Sequence, residues 1–187
     1  DIAIVPLLSG SGIRIKIIEA MAMGKTVITT MVGAEGIQYS EYENIIIADN
    51  LEQSLAEAVG KVEHDRLFVL TDTTTRELCW PVVQDYSVMK EATMITIPPT
   101  DEAKTLETLA SVWTALQQGG ATRHSLMVNL GGGMVTDLGG FAASTFKRGM
   151  AYINIPTTLL SQVDASVGGK TGINFGGLKN EIGVFNC

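Results

Sequence analysis

Short apolar runs alternate with longer amphipathic stretches along the whole chain, a pattern that marks βα units arranged around a mostly parallel sheet. Strands are predicted at 2–8, 26–30, 44–47, 66–70, 93–97, 125–130 and 152–156. Between them, apolar residues recur at three- and four-residue spacings over 13–23, 51–62, 105–118 and 135–145, which predicts helices. Leu51, Leu55, Ala58, Val59 and Val62 make one such stripe, with Glu52, Gln53, Glu57 and Lys61 on the opposite face. Asp101 is expected to cap the helix at 105–118 or sit in its first turn, and Gly119-Gly120 to end it. The expected class is α/β, with helices flanking a mostly parallel sheet.

The first fifty residues hold a strand, helix, strand, strand unit with its own glycine-rich loop, Ser9-Gly10-Ser11-Gly12. A piece that short is near the lower limit for folding alone, so it is expected to dock on a larger sheet. The expected division is 1–48 and 49–187, with the strand at 44–47 able to belong to either side.

A chain of 187 residues, 45% apolar and 18% charged, can form one cored globular domain, or a domain plus a fragment. The net charge of -7 argues against nucleic acid and anionic membranes as partners. Any anionic ligand must then be held by local cations. No apolar run approaches the roughly 20 residues that span a bilayer, and the N-terminus has no signal-peptide pattern, so a cytoplasmic location is expected. Cys79 and Cys187 lack metal-ligand spacing, and His64 and His124 stand singly, each expected at the surface.

The strongest local motif is the apolar run Ser125 to Leu130, then Gly131-Gly132-Gly133 and a helix. Such a turn can bring bare backbone N–H groups to a phosphate, with the positive end of the helix dipole behind them. The strict dinucleotide glycine pattern fails because Thr136 holds the third glycine position. A tight turn that needs positive φ and binds nothing is the alternative. Gly168-Gly169-Lys170-Thr171 is not a P-loop, since Asp164 stands where its first glycine would be. Asp164, Lys170, Lys179 and Asn180 instead punctuate a segment of small and apolar residues, either converging on a ligand or decorating a solvated loop. Asp72 ends a strand and can hold a ribose diol or cap the next helix.

Asn129 to Phe141, Ile155-Pro-Thr-Thr-Leu-Leu160, Val163 to Asn174 and Lys179-Asn180, in that order and spacing, closely resemble the 3-dehydroquinate synthase family over residues 51–187. The resemblance implies the NAD-binding part of a Rossmann-like α/β domain that is incomplete here. It implies conversion of 3-deoxy-arabino-heptulosonate 7-phosphate to 3-dehydroquinate and phosphate in the shikimate pathway, with bound NAD and a divalent metal, zinc or cobalt. By the same resemblance, Asp72 would hold the adenosine ribose, and Asp101 and Lys104 would line the cofactor site. Gly132, Gly133 and Met134 would bring backbone to the pyrophosphate. Asp137 would sit by the nicotinamide ribose, with Thr157 and Thr158 further along. Asp164, Lys170, Lys179 and Asn180 would face the substrate, a small sugar phosphate, and the nicotinamide end of the cofactor. The implied metal ligands, one Glu and two His, fall outside this chain, and a homodimer is compatible with the resemblance. Asp101 replaces the family's usual Glu, Thr100 a common Gly, and Leu178 the usual Gly before Lys179.

Residues 9–28 and Gly33-Ala-Glu-Gly36 resemble instead the nucleotide-sugar-binding segment of a GT-B glycosyltransferase, with Glu19 at the position of the donor-ribose carboxylate. Two other readings therefore stand beside the first: a glycosyltransferase using a nucleotide-sugar donor, or a non-catalytic NAD-binding fragment.

Overall fold

The computed structural model describes residues 2–5, 15–22, 24, 26–29, 31–40, 45–47, 50–158, 160–166 and 169–185. The loop Ser9 to Gly12 and Cys187 lie outside them. The chain divides into two compact units, one ending at Lys61 and one beginning at Val62.

In the first unit, β1 (Ile2–Val5), β2 (Thr26–Thr29) and β3 (Ile45–Ile47) form a parallel sheet in that order. Helix α1 (Ile15–Ala22) connects β1 to β2, and a short α2 (Met31–Ala34) follows. Ile17 and Ala20 from α1 are buried with Val27 and Ile45, the three-residue spacing putting both helical side chains on one face. Helix α3 (Leu51–Gly60) starts where the Asn50 side chain accepts from the Gln53 N–H at 2.8 Å. Its buried Leu55, Ala58 and Val59 follow the predicted stripe. The structural division thus falls after this helix rather than at 48/49. The reason is packing: α3 lies on β2, and β3 pairs with β2.

The second unit is built on a four-stranded parallel sheet of order β5-β4-β6-β7, from β4 (Leu67–Asp72), β5 (Thr93–Ile97), β6 (Leu126–Gly131) and β7 (Ala151–Pro156). Every residue of β4 and β6 is buried, as continuous apolar runs in central parallel strands require. Helix α6 (Leu106–Gln118) presents Leu109, Val112 and Leu116 to a core that contains Phe68, Leu70, Leu138 and Phe141. Truncating any of these large side chains to Ala would cost about 2–5 kcal/mol. Gly120, at φ 72°, ends α6 while the Ala121 N–H reaches back to Leu116 O at 2.9 Å.

Asp101 does not cap α6. Thr105 does, accepting from the Thr108 N–H at 3.3 Å, because Asp101 falls in a separate 3₁₀ turn, Asp101–Ala103. Helix α7 (Gly133–Thr145) follows β6 directly. Its Gly139 leaves no room for a Cβ beside Asn129, nor its Gly140 beside Thr171, so this pair lets the helix lie tight on β6 and on the strand that carries Thr171.

Besides α2, further elements among the described residues were not predicted. Helices α4 (Thr73–Leu78) and α5 (Trp80–Val83) follow β4. An antiparallel hairpin, β8 (Lys170–Phe175) and β9 (Leu178–Phe185), packs on α7 through Thr171 and Ile173. Its turn is Gly176-Gly177 at φ 60° and 83°, the two-residue connection whose twist suits a hairpin. Among the described residues, no helix is long and apolar enough to cross a membrane.

Candidate functional site

The carboxyl ends of β4, β6 and β7 carry Asp72, Gly131 and Pro156. In an open parallel sheet this is the edge where ligands bind. Gly132 is the N-cap of α7 and Gly133 its first residue. None of Gly131, Gly132 and Gly133 has positive φ, so the turn does not use glycine for conformational freedom. Gly131 is needed for packing, since a Cβ would stand 2.5 Å from Val135 Cβ. Among the described residues, a Cβ on Gly133 would meet only Ala165 Cβ at 3.5 Å, an ordinary contact, and one on Gly132 would meet the Thr158 methyl at 3.2 Å. Among the described residues, internal packing constrains Gly132 but supplies no reason for the bare backbone at Gly133.

Around this turn, Thr157 N–H donates to Gly131 O at 3.0 Å and holds β7's exit against it. Thr158 N–H and hydroxyl engage the buried Ser161 hydroxyl at 3.2 and 2.9 Å at the start of a π-helical turn, Ser161–Ala165. Such turns are frequent at functional sites. Met134 packs partly buried against the core. Asp72 caps α4, its Oδ1 accepting from the Thr75 N–H at 2.9 Å; the capping use anticipated for it is present.

Further into α7, Asp137 meets Lys104, whose Nζ lies 3.0 Å from its Oδ2. Lys104 is 3% exposed. Its Nζ also donates to Asn180 Oδ1 and stands 3.5 Å from Asp101 Oδ1. Burial pushes the Asp137 carboxyl above its ordinary range while the Lys104 ammonium pulls it down. Asp101 is held low, first by the hydrogen bond from Lys179 at 2.8 Å and then by Lys104. Residues expected at two ends of a ligand, Asp101 with Lys104 and Lys179 with Asn180, thus share one network.

A cavity of about 360 Å³ opens beside it, lined among others by Asp137, Asp164, Lys170, Asn180 and Glu181. Lys170 Nζ is 3.5 Å from Asp164 Oδ1, both side chains about 60% exposed. Lys179 stands apart: it does not line this cavity and is paired with Asp101. Sequence reasoning missed Glu181 on the wall and Asn174, which links β8 to the network. Reading Phe175-Gly-Gly-Leu178 as a hairpin turn would have found both. Among the described residues, no group of three or more His, Cys, Asp or Glu could hold a metal ion.

Residues 94–187 match the family model described as 3-dehydroquinate synthase N-terminal. A 3-dehydroquinate synthase of Parabacteroides distasonis is 51% identical over 143 residues, which is 76% of this chain and 40% of that protein. The chain belongs to the 3-dehydroquinate synthase family. A relative of the same name from Thermococcus kodakarensis is 48% identical over 71% of this chain and 37% of its own length. The chain therefore spans about 40% of the length of the 3-dehydroquinate synthases it matches. Among solved structures, 2-epi-5-epi-valiolone synthase from Streptomyces hygroscopicus, with NAD+ and Zn2+ bound, is 32% identical. It superposes with a TM-score of 0.65 over 81% of this chain and 42% of its own. A 2-deoxy-scyllo-inosose synthase complexed with carbaglucose-6-phosphate, NAD+ and Co2+ gives 0.66 at 25% identity, over 73% and 38%. Both likenesses agree with the Rossmann-like α/β architecture. Residues 1–65 match a different model, described as Glycosyl transferases group 1.

Proposed function

We propose that the second unit is the NAD-binding part of a 3-dehydroquinate synthase-type carbon-oxygen lyase acting on a sugar phosphate, with 3-deoxy-arabino-heptulosonate 7-phosphate as substrate, and that this chain alone does not turn over. The observation that carries the reading is the bare backbone at Gly132 and Gly133, which opens a thirteen-residue helix and is required there by neither φ nor, at Gly133, packing. An approaching pyrophosphate supplies the missing reason, since it needs unobstructed amides at a helix N-terminus.

In this reading Gly132, Gly133 and Met134 bind the pyrophosphate, and Asp72 takes the adenosine ribose through the carboxylate edge left by its cap. Asp137 faces the second ribose, with Thr157 and Thr158 beside it and Asp101 and Lys104 fixing its charge. NAD held by these residues would supply a reversible hydride acceptor for a substrate alcohol; the ketone so formed would acidify the neighbouring C–H enough for phosphate to leave before the hydride is restored. Lys170, with Asn180 on the same cavity wall, offsets the substrate's anionic charge, Lys179 acts through its pair with Asp101, and Asp164 orients Lys170.

Calorimetry with NAD on the whole chain tests the reading. Binding that disappears in Gly133→Val supports it; unchanged affinity in that variant would overturn the cradle. The match of residues 1–65 favours a nucleotide-sugar site for that segment, so UDP-sugar binding without NAD binding would turn the assignment toward a glycosyltransferase.

A further inference from the structure

The hairpin register slips between Ile173 and Phe175, so Asn174 lies at an irregularity of the ladder, where a bulge re-aims a side chain. Its backbone N–H and both ends of its carboxamide bond to the polar network beside the glycine turn. Its backbone N–H donates to Lys104 O at 2.8 Å. Its Nδ2 donates to Asp101 O at 3.0 Å, and its Oδ1 accepts from the Asn180 N–H at 3.0 Å. Asn180 is held at φ 53°, in the left-handed region that asparagine tolerates better than most other non-glycine residues. In that conformation Asn180 Oδ1 reaches Lys104 Nζ, and the residue lines the cavity that Asp137 and Lys170 share.

We infer that Asn174 is a positioning residue: its carboxamide clamps Asn180 and the Asp101–Lys104 turn together, and so aims Asn180 and Lys104 at the ligand cavity. An amide suits the task because one end must donate to a carbonyl while the other accepts from an N–H. Aspartate would keep only the acceptor and would face the Asp101 carboxylate, 3.5 Å from the present Nδ2. The ligand half of this inference rests on the NAD reading above; the clamp itself does not.

Two measurements on the whole chain separate them. Hydrogen exchange at the Asn180 amide reports the clamp. Asn174→Ala is expected to speed it on the order of tenfold, the scale of one net hydrogen bond, while Asn174→Asp, which keeps the acceptor, retains protection. Unchanged exchange in Asn174→Ala would overturn the clamp; if that variant fails to fold, loss of protection in Asn174→Asp does so. NAD calorimetry on Asn174→Ala, Asn180→Ala and the double variant reports the aiming. Each single variant should weaken NAD about tenfold, and the double no further than either. Losses that add would show independent roles and refute the positioning. A parent chain that binds no NAD refutes the NAD reading, and the exchange arm then decides the clamp.

Discussion

Lys104 Nζ sits 3.0 Å from Asp137 Oδ2, joining a loop after β5 to the first turns of α7 across 33 positions of sequence. The lysine side chain is 4% exposed and the aspartate's 18%. Removing one member of so buried a pair leaves the other as an uncompensated charge. The carboxyl is already above its ordinary value of 3.8 despite the lysine's pull.

Lys104→Met should therefore destabilise the second unit by about 3 kcal/mol at neutral pH, measured by denaturant unfolding. The sign with pH follows from the direction of the shift. A carboxyl raised in the folded state favours the protonated form, so its penalty appears as pH rises through the folded value. The variant's deficit should shrink as pH falls toward 3.8. A deficit that does not change with pH would contradict the pair's role.

Gly131→Ala and Gly133→Ala should separate packing from ligand approach. At 131 the new methyl stands 2.5 Å from Val135 Cβ, in a fully buried side chain, and overpacking of that kind costs about 1–3 kcal/mol. At 133 it makes only an ordinary contact with Ala165, so stability should stay within about 0.5 kcal/mol or rise slightly. Equal destabilisation by the two, in parallel thermal melts, would mean the turn is packed shut.

The sheet was legible because its strands are runs of apolar residues bounded by glycine and polar positions; β5 (Thr93–Ile97) falls on its predicted bounds. The hairpin was not, because Gly172 and Gly183 oppose each other across it and dilute the alternation that marks a strand. The polar network was equally hidden. Lys104 and Asn180 are 76 positions apart, and no local pattern declares such a pairing. The glycine turn and the Asp164–Lys170 segment were visible because their chemistry is written in consecutive residues.

Thr100 adopts φ 76° and ψ 159°, a region essentially reserved for glycine and costing about 1–3 kcal/mol elsewhere. Thr100→Gly should remove that strain, less the roughly 0.5–1 kcal/mol that glycine's extra freedom costs. The expected gain is about 1 kcal/mol, seen as a melting midpoint raised by about 2–4 °C. A lowered midpoint would mean that the Thr100 hydrogen bond to Glu102, which holds that carboxyl below its ordinary value, outweighs the strain.

Lys170→Ala tests the division of labour in the cavity. The Lys170–Asp164 pair is 3.5 Å apart with both side chains about 60% exposed, and such pairs contribute about 0–1 kcal/mol to stability. The variant should therefore melt with the parent. Its loss should be electrostatic and local: Asp137, Asp164 and Glu181 share the wall with Lys170, so among the described residues the charged groups left on the wall are carboxylates. Affinity for 3-deoxy-arabino-heptulosonate 7-phosphate, the substrate proposed above, read by calorimetry with NAD present, should fall about tenfold or more, the scale of one charge-assisted contact. NAD affinity should hold, because the glycine turn and the Lys104 network are untouched. Equal loss of both ligands would place Lys170 on the cofactor, and loss of neither would remove it from the site.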